Sequence, residues 1–112
     1  MEEVKFAYWE EDAVNTWRNI LRPELEKSSR FEIRLWNDDT ELTEMLLQFG
    51  KLMEENWEYG VIVEGKVDED FIDFLFSFDK EERAGQIIIT PFYSIVLDHF
   101  VSEQYGRELK RL

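Results

Sequence analysis

Cysteine is absent from the 112 residues, and histidine occurs once, at His99. The missing cysteine excludes disulfides and thiol chemistry. Together the two scarcities exclude Cys-His nucleophiles and any site built on several histidines. The five glycines stand isolated at 50, 60, 65, 85 and 106, so there is no glycine-rich phosphate cradle. Apolar runs stop at three or four residues, as in Ile87-Ile88-Ile89, whereas a membrane helix needs about 20. The N-terminal MEEVKFAYWEED has neither the basic segment nor the apolar stretch of a signal peptide. These features lead us to expect a cytoplasmic protein. Bases are scarce too, 13 Lys and Arg against 26 Asp and Glu, for a net charge of −13.

What is present is acid, aromatic and unevenly placed. Residues 31–82 hold sixteen acids and four bases, while residues 1–30 hold seven and five and residues 83–112 hold three and four. Nearly all the net charge therefore sits in the middle of the chain. Such a field repels nucleic-acid phosphates and anionic lipid and attracts basic partners. It also favours a monomer through self-repulsion. Hydrophobic residues make up 44% and aromatics 15%. Burying one large apolar side chain is worth roughly 1.5–3 kcal/mol, so a single domain of this length can fold without metal or crosslink.

Periodicity supplies the elements. VKFAYW (4–9) has strand composition. Trp17, Ile20, Leu21 and Leu25 follow at helical spacing and predict a helix over about 11–27, kinked or broken near Arg22 by Pro23. FEIRLW (31–36) alternates as a strand with one buried face. Leu42, Met45, Leu46, Phe49, Leu52 and Met53 trace a helical stripe ending near Trp57. YGVIVEG (59–65) reads as a strand. VDEDFIDFLFSFD (67–79) is ambiguous, because Asp68 suits a helix cap while the aromatics alternate, and strand is preferred. Lys80 to Gly85 forms a hairpin loop, and GQIIIT (85–90) returns. Thr90-Pro91 opens a last helix with Phe92, Ile95, Val96, His99 and Phe100 on its stripe, which makes His99 a core or boundary residue. The order predicts a single α+β domain, residues 1–112, a mostly antiparallel sheet packed by about three helices.

Candidate chemistry is limited. Asp68, Asp70 and Asp73 lie close in sequence, but the twelve-residue calcium loop with its central glycine and final glutamate is missing. No metal or cofactor is expected, and no catalysis. Trp17, Phe31, Phe49, Phe92 and Phe100 fall on core faces. Trp36, Trp57 and Tyr59 are harder to bury, and each neighbours a carboxylate-rich stretch. Aromatic anchors in a charged surround are the usual make-up of a protein interface. The expected partner-binding surface is Trp57, Glu58, Tyr59, Glu64, Asp68, Glu69 and Asp70, flanked by Asp38, Asp39, Glu54 and Glu55. A basic protein, a nuclease toxin above all, is the expected partner. The competing expectations are an acidic DNA mimic or adaptor binding a DNA-binding protein, an enzyme using paired carboxylates, and a domain whose acidity only maintains solubility.

The stretch YWEEDAVNTWRNIL (8–21) resembles a motif of bacterial immunity proteins of contact-dependent growth inhibition systems. The matching positions are Tyr8, Trp9, Asp12, Asn15, Trp17 and Leu21. These read as fold-stabilising positions, so no binding residue carries over. The resemblance implies a cytoplasmic protein that neutralises one cognate toxin, often a nuclease, by tight binding.

Overall fold

In the computed structural model, which describes residues 1–112, the chain runs β1 (Glu2–Val4), α1 (Ala13–Lys27), β2 (Arg30–Trp36), α2 (Thr40–Leu46), β3 (Gly50–Leu52), β4 (Gly60–Lys66), α3 (Glu69–Leu75), β5 (Glu81–Arg83), β6 (Gln86–Ile88), β7 (Ser94–Val96), β8 (Phe100–Glu103) and β9 (Glu108–Arg111). Seven strands form one sheet in the order β1-β9-β8-β7-β2-β4-β3, every neighbour antiparallel, and β5–β6 is a separate hairpin. The fold is α+β with three helices, as the sequence predicts. No helix is long and apolar enough to cross a membrane.

The alternation of β2 organises the packing. Phe31, Ile33 and Leu35 are buried on one face of the sheet, and Glu32, Arg34 and Trp36 project from the other. All three helices bury their stripes in the same cluster as that inner face. Trp17, Leu21 and Leu25 of α1, Leu46 of α2, and Phe71, Ile72 and Leu75 of α3 join Phe31, Ile33 and Leu35 there. Phe31 stacks flat on Phe71, ring centroids 3.9 Å apart. The indole N–H of Trp17 donates to the Ser102 hydroxyl at 3.2 Å, satisfying the one polar atom of a fully buried ring. With the helices on one side, the outer face of the sheet carries no helix.

Several local expectations give way to tertiary pairing. The first strand is displaced to Glu2–Val4, where it pairs with β9; Phe6 to Trp9 instead form turns. Helix α1 continues through Pro23 without a break. Pro23 is exposed, and Leu21 and Leu25 on either side are fully buried, so packing offsets the lost backbone bond. Helix α2 ends at Leu46, far short of Trp57, because residues 50–52 pair with β4. Residues 69–75 are helical rather than extended. The Asp68 carboxylate accepts from the Phe71 N–H at 2.8 Å, and Phe71, Ile72 and Leu75 bury one helical face. The last helix is replaced by β7, β8 and β9. The Thr90 hydroxyl accepts the Phe92 N–H in a short turn at 3.4 Å, and the sheet takes Ser94–Val96 between β2 and β8. His99 then falls in the β7–β8 turn and is exposed, neither core nor boundary.

Candidate functional site

The register of β2 and β4 decides where the aromatic residues meet. Trp36, on the outer face, lies opposite Gly60. A Cβ at Gly60 would overlap the Leu35 carbonyl, so only glycine lets the two backbones approach there. That approach brings the turn Trp57-Glu58-Tyr59 back against the end of β2. The Gly60 N–H donates to the Trp57 carbonyl at 3.3 Å, Asn37 N–H to the Tyr59 carbonyl at 3.2 Å, and the Trp57 indole N–H to the Leu35 carbonyl at 2.9 Å.

Two residues from the C-terminal strands complete the cluster. Tyr93 precedes β7. Tyr105 lies in the β8–β9 loop in the left-handed region (φ 58°), beside Gln104 (φ 55°) and Gly106 (φ 88°). A tyrosine rarely adopts that conformation, and here backbone bonds hold it. Tyr105 N–H donates to the Tyr93 carbonyl at 3.2 Å, and its own carbonyl accepts from Ile89 at 3.0 Å and Thr90 at 3.2 Å.

Five rings thus form one platform. Trp57 lies parallel to Tyr93 (5.4 Å, 9°), and Tyr59 stacks on Trp36 (5.2 Å, 28°). Trp36 meets Trp57 edge-on at 5.0 Å and Tyr93 at 5.2 Å; Tyr93 meets Tyr105 at 5.3 Å. Such pairs add about 0.5–1.5 kcal/mol each beyond burial, so the platform is held together by its own packing. Tyr59 is its most open member, 49% exposed. The Trp36 indole N–H is buried without a hydrogen-bond partner, beside the Tyr105 hydroxyl. Burial, and then the charge of Asp39, push the Tyr105 hydroxyl above its ordinary range.

Carboxylates border the platform. Asp38 and Asp39 follow Trp36, Glu54 and Glu55 precede Trp57, and Glu58 separates Trp57 from Tyr59. All but Asp39 are exposed, and none of the five makes an ion pair. Asp39 accepts the Trp36 backbone N–H at 3.2 Å.

The sequence-predicted surface is divided by this geometry. Trp57, Glu58 and Tyr59 gather at one end of the sheet with Asp38, Asp39, Glu54 and Glu55. Asp68, Glu69 and Asp70 lie beyond the other end of β4, about 20 Å of strand away. There Asp68 caps α3, and Glu69 pairs with Arg22 at 3.5 Å. Glu64, on the outer face, is held by Arg30 and by Lys51 at 3.8 Å. It lies in a groove of about 820 Å³ that is also lined by Arg30, Lys51, Lys66 and Asp68. No three side chains of His, Asp or Glu are grouped so as to hold a metal ion. Tyr93 and Tyr105 are the platform members that periodicity did not single out. Their neighbourhood depends on the pairing of β7 and β8, which no local pattern announces.

No protein-family model, curated protein or solved structure matches this chain.

Proposed function

We propose that this chain is a non-catalytic inhibitor that binds a basic protein, a toxin nuclease domain above all, through the aromatic platform at the Trp36 end of the sheet. One observation carries the reading: five packed aromatic rings gather at the Trp36 end of the sheet, bordered by five carboxylates that have no basic partner within the molecule. Unpaired carboxylates steer a cationic protein toward that end. The rings then supply desolvated area without further ordering, which slows dissociation. A nuclease groove built for phosphates offers the complementary charge, and an acidic domain seated in it excludes the substrate. Mimicry of duplex DNA is the other reading. It needs carboxylates along an extended ridge, and the ring of acids around one end supports the inhibitor instead.

The test is capture of partners by the tagged chain from its own cells, at low and at high salt, with Tyr59→Ala in parallel. Asp38, Asp39, Glu54, Glu55 and Glu58 draw the partner, and the rings retain it. One basic polypeptide in near-equal amount is therefore expected at both salts, with its nuclease activity suppressed in the complex. Tyr59→Ala should weaken its retention roughly ten-fold or more, as for an anchor residue. A diffuse, salt-labile set of basic proteins, the same for both chains, would sink the proposal.

A further inference from the structure

We infer that the platform seats an arginine side chain of its partner, in preference to lysine; the inference rests on the reading just given and names the chemistry of the residue that enters. Tyr59 stacks on Trp36, meets Trp57 at 5.4 Å (81°) and is still 49% exposed, which leaves ring surface open to a partner. Glu58 adjoins it in sequence, and Asp38 lies next to Asn37, whose N–H bonds the Tyr59 carbonyl. An open aromatic face beside unpaired carboxylates suits a group that is flat, cationic and rich in N–H donors. Guanidinium meets all three conditions. It stacks on the ring and directs its in-plane N–H fork at a carboxylate. Ammonium is a strongly hydrated point charge and meets only one of them.

The molecule contains the same arrangement with its cation in place. Arg22 lies over the Phe76 ring at 5.3 Å while it bonds Glu69 at 3.5 Å. At the platform the ring and the carboxylates are present and the cation is not. Arg83, whose charge reaches Tyr105, is itself held by Glu81 at 2.8 Å.

The test needs no identified partner. Acetyl-hexaarginine amide and acetyl-hexalysine amide are titrated at low ionic strength into the ¹⁵N-labelled chain, and the four indole N–H resonances are followed, assigned by single Trp→Phe variants. Hexaarginine should shift the Trp36 and Trp57 resonances, with Trp17 unmoved as the reporter of an intact core. Hexalysine should bind at least roughly five-fold more weakly, the advantage expected of a stacked guanidinium. Tyr59→Ala and Glu58→Gln should each weaken hexaarginine, and Tyr59→Phe should not. Equal affinity for the two peptides, or a shift confined to the exposed Trp9, would overturn the arginine seat and leave the basic-partner reading standing. Binding of neither peptide would overturn both.

Discussion

Asp98 shows how much one exposed carboxylate can organise when backbone donors meet it. It accepts the Ser29 N–H at 2.9 Å and the Ser29 hydroxyl at 3.1 Å, while its own N–H donates to the Ser28 hydroxyl at 3.2 Å. Ser28 in turn donates to the Glu24 carbonyl at 2.8 Å, so the end of α1 is tied to the β7–β8 turn. The Ser29 backbone bond is the main reason that the Asp98 carboxyl sits below its ordinary 3.8. A lowered carboxylate pKa contributes stability that is present above the unfolded value and lost as pH falls through the folded one. Asp98→Asn should therefore lower the melting temperature near neutral pH, and its deficit relative to the parent should shrink as pH falls below about 4 and vanish below the lowered folded-state value. Melting curves of both chains across that range decide the matter; a deficit independent of pH would place the effect elsewhere. Nothing local in LDHF marks Asp98 for this role, because its partners lie 69 and 70 residues away.

At the scale of elements, α3 was the ambiguous segment. The alternation of Ile72, Phe74, Phe76 and Phe78 favours a strand, whereas Phe71, Ile72 and Leu75 share one buried face only in a helix. The capping bond from Asp68, together with acids at Glu69 and Asp70 near the positive end of the helix dipole, tips the balance. These acids are thereby given a structural role at the end of the sheet remote from the platform. Asp68→Ala should cost about 1 kcal/mol of stability and leave partner capture unchanged, while Asp68→Asn should keep most of the cap. Chemical denaturation and the capture assay report the two quantities separately. Loss of capture at unchanged stability would return the binding surface to the Asp68 end.

For the whole molecule the decisive quantity is the field of 13 uncompensated negative charges. Steering by such a field is screened over a Debye length, about 10 Å at 0.1 M salt. Association with the proposed basic partner should therefore slow by roughly ten-fold or more as salt is raised, while dissociation, which the proposal assigns to the desolvated rings, should change far less. Stopped-flow tryptophan fluorescence at several ionic strengths measures both. An association rate indifferent to salt would mean that the acids serve solubility alone.

Composition and periodicity by themselves determined the α+β class, the charge field, the buried faces of α1 and β2, and the exclusion of cysteine chemistry. Each of these depends on residue type and nearest spacing, which the chain carries locally. Trp36, Trp57 and Tyr59 also stood out as aromatics without an obvious burial place. Tertiary structure alone decided that these three meet Tyr93 and Tyr105, that Asp68 to Asp70 lie elsewhere, and that β7, β8 and β9 stand where a last helix is expected. The physical reason is pairing at long range. Gly60 admits Trp36 only in the β2–β4 register, and Tyr105 reaches Tyr93 only once β7, β8 and β9 have joined the sheet, choices made by partners far away in sequence rather than by any local preference.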